Sequence, residues 1–96
     1  MKTINDIKKT LEYHKKDLIK KYGLKLIAVF GSYSRNEQTL TSDVDILVEF
    51  SKPIGIEFID LANELENILN MKVDLVSKNG IKSRYYVHIK NDLIYV

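Results

Sequence analysis

Two short segments carry residues whose types and spacing suit phosphate chemistry. Gly31-Ser32-Tyr33-Ser34-Arg35 follows the apolar run Leu26 to Phe30, and ten residues separate Ser32 from Asp43 in Ser42-Asp43-Val44-Asp45. A glycine between a buried strand and a helix start lets a phosphate approach the backbone closely. Unpaired amides at the helix N-terminus attract anions, and the Ser32 hydroxyl adds a donor. Arg35, one turn on, carries a planar fork that suits the same phosphate. Asp43 and Asp45, two apart on a strand, point the same way. Like carboxylates held together repel, and a cation between them relieves the repulsion. An all-oxygen ligand set suits a hard ion such as Mg²⁺.

Taken singly, each segment has a plain alternative: a turn glycine with a capping serine, or a solvated strand end. Jointly they are more specific. A phosphate cradle ends one strand and a carboxylate pair begins the next, and these are the two parts that phosphoryl transfer requires. One positions a triphosphate; the other holds metal that offsets charge on the attacking and leaving oxygens.

The elements that must position these groups are legible in the apolar spacing. Ile4, Ile7, Leu11, His14, Leu18 and Tyr22 recur at steps of three and four, one face of a helix. Thr3 is placed to cap its start, and Gly23 sits where a left-handed stop is expected. The opposite face carries Lys8, Lys9, Lys15, Lys16, Lys20 and Lys21, read as a solvated face. Leu24 to Phe30 is a strand; its unbroken apolar run predicts burial on both sides. Ser32 to Glu37 is a short helix and Gln38 to Ser42 a loop. Val44 to Phe50 is a second strand, with Val44, Ile46 and Val48 on one face and Asp43, Asp45, Leu47 and Glu49 on the other. Phe58, Leu61, Ala62, Leu65, Ile68 and Leu69 define an amphipathic helix. Val73 to Ser77, containing Asp74, is a third strand. Ile81 to Lys90 is weakly patterned helix, and Leu93 to Val96 a terminal strand. Strands alternating with helices predict an α/β (α+β) fold, a mixed sheet of three to four strands with helices mostly on one face.

Composition narrows the classes. The chain has 96 residues, expected to form a single domain over 1–96, and is 45% hydrophobic, enough for one core. Fifteen basic against thirteen acidic residues leave a formal charge of +2, too mild to imply a nucleic-acid ligand or a membrane surface. With no cysteine, disulfides, thiolate metal sites and a cysteine nucleophile are excluded. No apolar stretch resembles a signal peptide or a membrane span, so a cytoplasmic location is expected.

Gly31-Ser32, the ten-residue gap and Asp43-Val44-Asp45 resemble the signature of the polymerase β-type nucleotidyltransferase superfamily. They are most similar to its minimal nucleotidyltransferases, encoded beside HEPN-domain partners in prokaryotic toxin–antitoxin pairs. The resemblance runs from Leu24 to about Ser77 and includes the flanking strand, Arg35 and Ser42. It implies that Gly31, Ser32 and Arg35 bind the triphosphate and that Asp43 and Asp45 hold Mg²⁺, two ions in all. Asp74 stands where the family has a third carboxylate, completing the metal site or helping to deprotonate the acceptor hydroxyl. ATP is the implied donor and a hydroxyl, by resemblance a tyrosine's, on a HEPN-type toxin the implied acceptor. The rival readings are a binding antitoxin without chemistry and a transferase acting on small molecules of the antibiotic kind. About twenty residues follow Asp74, too few for an acceptor-binding domain, which favours an acceptor presented by a partner.

Other residues are weaker candidates. His14 lies on an apolar face and reads as packed, and His88 as a surface residue. Tyr33, beside the cradle, is the aromatic best placed to contact a nucleotide. Tyr85, Tyr86 and Tyr95 read as anchors for a partner interface.

Overall fold

The computed structural model describes residues 2–96. Helix α1 spans Ile4–Tyr22 and opens with a capping box: the Asp6 amide donates to Thr3 Oγ1 and the Thr3 amide to the Asp6 carboxylate, at 3.3 and 2.9 Å. It stops where Gly23 turns left-handed (φ 66°), a conformation that costs glycine least. Strand β1 (Leu24–Phe30) leads into the one-turn helix α2 (Gly31–Ser34), then β2 (Val44–Phe50), α3 (Glu57–Leu69), β3 (Val73–Ser77), α4 (Ser83–Ile89) and β4 (Ile94–Tyr95). Each expected element is present. The two C-terminal ones are shorter than the sequence spacing suggests, because only Ile89 of α4 is buried and β4 holds β1 through just two residue pairs.

The sheet runs β3-β2-β1-β4, with β1 antiparallel to both β2 and β4 and β2 parallel to β3. This is the mixed four-stranded sheet the alternation implies. A register shift between Leu24 and Leu26 turns the strand parity. Leu24, Ile27 and Val29 therefore share one face, with Val44, Ile46, Val48 and Phe50 beside them. Helices α1 and α3 cover that face through Ile7, Leu11, Leu18, Leu61, Leu65 and Leu69, all essentially sealed from water. Each such side chain contributes roughly 1.5–3 kcal/mol through burial. The opposite face is thinner: Phe30, Leu47 and Ile89 form its buried centre, so α4 covers the side away from α1 and α3. That explains why β1 reads as apolar throughout.

Two tethers fix the sheet ends. The Asn79 side chain bridges the Phe50 backbone, accepting from its amide at 2.9 Å and donating to its carbonyl at 3.2 Å. On the α1 side, Tyr22 donates its hydroxyl to Glu64 of α3 at 2.7 Å, and Lys21 reaches the same oxygen at 2.9 Å. His14 is half-buried and stacks edge-on against Tyr13, their centroids 5.0 Å apart, in keeping with a packing role. No described helix is long and apolar enough to cross a membrane.

Candidate active site

The site lies where β1 ends and β2 begins. Phe30, the last residue of β1, pairs with Asp45, and Asp45 pairs on its other side with Asp74. Because β2 and β3 run parallel in this register, the two carboxylates leave the sheet side by side, on the face that α4 covers. Gly31 follows Phe30 with φ 75°, and an added Cβ would lie 2.0 Å from Asp45 Oδ2. The glycine is thus required twice: by its backbone angle and by the carboxylate occupying the space beside it.

Burial raises the Asp45 pKa from 3.8 to about 6, and the neighbouring charges of Asp74 and then Asp43 push the same way. This is the signature of carboxylates gathered without a counter-ion. An oxygen-only cluster with that excess negative charge fits a hard divalent cation. Asp43 stands immediately before β2. Strand β2 starts at Val44, so Asp43 belongs to the preceding turn, where Ser42 bonds back to Thr39, and it is exposed. Its charge acts on Asp45 and pushes that carboxyl's pKa upward. Among the described residues no three acidic or imidazole side chains are already gathered around one point; Asp45 and Asp74 form the close pair, and Asp43 is the looser third.

Ser32 occupies the second position of α2. The N-cap is Phe30, with no side-chain cap, and the Ser32 hydroxyl makes no hydrogen bond among the described residues. It is half-buried and available to a ligand, so it is not the helix cap that the sequence equally allowed. One other expectation is corrected. Tyr33, expected to contact nucleotide, is buried (3% exposed) in the core shared with α1 and β2; the turn of α2 points it under the cradle rather than over it. Arg35, the phosphate-binding candidate, is paired with Glu37 at 2.9 Å and Asp92 at 2.8 Å, and its charge acts on Asp45. Those carboxylates hold its guanidinium more firmly protonated than usual. The Ser34 hydroxyl also donates to the Asp92 carbonyl, so α2 is tied to the α4–β4 turn. Sequence spacing had no means of marking Asp92, which lies 57 residues beyond Arg35.

A family model described as nucleotidyltransferase domain matches residues 11–96. The chain belongs to this family. Among its relatives, a Methanocaldococcus jannaschii protein provisionally named a protein adenylyltransferase is 51% identical over 98 residues, covering all of both chains. Protein adenylyltransferase MntA of Thermococcus cleftensis is 42% identical over 97 residues, covering 100% of this nucleotidyltransferase and 98% of that one. Of solved structures, that of a minimal nucleotidyltransferase superposes with TM-score 0.84 at 27% identity, covering 99% of this chain and 97% of that one. Another contains a tri-AMPylated HEPN toxin of Shewanella oneidensis in complex with its MNT antitoxin; it aligns with TM-score 0.68 at 25% identity, covering 93% and 70%. The four-stranded sheet and its helices are therefore the minimal nucleotidyltransferase fold, as the Gly31-Ser32 and Asp43-Val44-Asp45 segments led us to expect.

Proposed function

We propose that this nucleotidyltransferase moves AMP from ATP to a hydroxyl of a HEPN-type toxin and so acts as its antitoxin, with residues 1–96 working as one catalytic domain in the cytoplasm. The observation that carries the proposal is the Asp45–Asp74 pair standing beside the Gly31 cradle. The names of the relatives, protein adenylyltransferase and MNT antitoxin with an AMPylated toxin, support the donor and the acceptor.

In this reading Gly31 admits the triphosphate to the backbone amides that open α2, and the Ser32 hydroxyl donates to a phosphate oxygen. Asp45, Asp74 and Asp43 hold Mg²⁺, which when bound supplies positive charge at the α-phosphate and at the departing pyrophosphate. Asp74, on the outer strand, is the carboxylate nearest an incoming acceptor and takes its proton. Arg35 stabilises the triphosphate by exchanging Glu37 or Asp92 for a phosphate oxygen. The phosphate end and the acceptor end thus lie on opposite sides of Asp45.

The test is to incubate the protein with a HEPN-type toxin, Mg²⁺ and each nucleoside triphosphate in turn, and to weigh both proteins intact. Adenylyl groups should appear on the toxin with ATP. Asp45→Asn should co-purify with the toxin yet leave its mass unchanged. Efficient transfer to a small hydroxylated molecule, with the toxin left untouched, would replace this reading by a small-molecule transferase. Toxin neutralised without any mass change would replace it by a binding antitoxin.

A further inference from the structure

Two carboxylates hold Arg35, and they differ in kind. Glu37 accepts from Nε at 2.9 Å and Asp92 from Nη1 at 2.8 Å. Glu37 follows Arg35 directly in the chain, and its side chain is 65% exposed. Its carboxylate has no other partner among the described residues. Asp92 comes from the turn between α4 and β4, and its side chain is 25% exposed. The Asp92 amide donates to the Ile89 carbonyl at 2.9 Å, and Ile89 is buried with Phe30 and Leu47. The Asp92 carbonyl accepts the Ser34 hydroxyl. Asp92 is therefore anchored twice, to the buried centre of the thin face and to α2.

The guanidinium carries its N–H donors in one rigid plane. Nε and Nη2 share one edge of it, and such an edge can pair with a carboxylate or phosphate through two parallel bonds. Glu37 takes the Nε donor of that edge, and Nη2 bonds to no described residue. A phosphate that displaces Glu37 gains both donors and leaves the Nη1 bond to Asp92 intact. Displacing Asp92 instead would break the pair better shielded from water, which is the stronger of the two. The Arg35 amide donates to the Gly31 carbonyl at 3.1 Å, so Arg35 stands one helical turn from the glycine that Asp45 closes upon.

We propose that Asp92 is a positioning residue for the triphosphate: it holds Arg35 by Nη1 while a phosphate displaces Glu37 from the Nε–Nη2 edge. The inference rests on the phosphate role proposed above for Arg35 and decides which of its two ion pairs opens. Glu37 competes with the nucleotide, so removing its charge helps binding. Asp92 orders the guanidinium beforehand, so removing its charge leaves the nucleotide to immobilise that side chain and weakens binding. Two ion pairs that served stability alone would not act on nucleotide affinity in opposite directions.

Calorimetric titration of the whole chain with a non-hydrolysable ATP analogue and Mg²⁺ tests this. Glu37→Gln should bind about twofold more tightly, as suits an exposed pair. Asp92→Asn should bind roughly five- to tenfold more weakly, the effect of one hydrogen bond. Its bonds to Ile89 and Ser34 use backbone atoms and survive the substitution. On an Arg35→Gln background neither second substitution should change the affinity further. An Asp92 effect that persists without Arg35, or changes of the same sign in the two single variants, overturns the proposal. Glu37→Gln lies on the exposed loop and decides its own half whatever Asp92→Asn does to folding: an affinity that stays or falls overturns the proposal. Those results leave the proposed function standing where wild type still adenylylates a HEPN-type toxin. A wild-type chain that neither binds the analogue nor modifies the toxin overturns both.

Discussion

The Asp45 carboxylate fills the space where a side chain on residue 31 would begin, its Oδ2 2.0 Å and its Cγ 2.9 Å from the position of a Gly31 Cβ. Any substitution there displaces the carboxylate that the site is built around. Gly31→Ala also forces a left-handed angle (φ 75°) on alanine, costing about 1–2 kcal/mol by itself. We expect Gly31→Ala to lower the melting temperature and abolish transfer. In an Asp45→Ala background the clash is absent, and the destabilisation should shrink to the backbone cost alone. A double-mutant cycle by chemical denaturation reads the difference. Equal penalties in both backgrounds would mean the two residues are not coupled.

Asp45→Asn should separate stability from activity. Burial and the charges of Asp74 and Asp43 disfavour the Asp45 carboxylate, so the amide should leave the metal-free fold as stable as wild type or more so. Transfer should fall by on the order of a thousandfold or more, since several kcal/mol of charge stabilisation is lost. Mg²⁺ with ATP should raise the melting temperature of wild type and not of the variant. A variant retaining wild-type turnover would remove Asp45 from the catalytic set.

Ser32→Ala should be silent for folding, because the hydroxyl caps nothing and bonds to no described residue. Binding of ATP should weaken by the value of one hydrogen bond to a charged group, roughly 1.5–3 kcal/mol, while the α2 amides remain. Calorimetric titration with a non-hydrolysable ATP analogue measures it. An unchanged affinity would leave Ser32 without a role.

The Tyr22–Glu64 tether predicts a pH window on the far side of the molecule. Burial first, then the bond to Glu64, raises Tyr22 from 10.0 to about 12, while the Tyr22 and Lys21 bonds lower Glu64 below 4.5. The Tyr22 contribution is complete below pH 10 and is lost as pH rises through 12. The Glu64 contribution is complete above pH 4.5 and is lost as pH falls. Tyr22→Phe should therefore flatten the alkaline limb of stability against pH and cost on the order of 1–3 kcal/mol at neutral pH. Urea melts across the range test it; an alkaline limb that keeps its slope would place the titrating group elsewhere.

The modest place of Tyr86 and Arg35 shows how far single residues can be read in isolation. Tyr86 looks like a partner anchor in sequence, yet it packs against the sheet. Arg35 looks like a phosphate ligand, yet its rest state is a double ion pair. Both outcomes depend on α4 and β4 folding back over β1, which no local pattern records.

The sequence by itself determined every element of the fold, because helix and strand periods, the Thr3 cap and the Gly23 stop are local properties of the chain. It also determined the site's two ends of chemistry, since Gly31-Ser32 and Asp43-Val44-Asp45 are close in sequence. Only the tertiary structure decided that Asp74 stands beside Asp45, because that depends on parallel pairing of β2 with β3 across the intervening α3. It alone decided that Tyr33 is core and that Arg35 meets Asp92. A helix's sequence records which of its faces is apolar; which sheet face it covers, and how far along, is set by packing between residues distant in the chain.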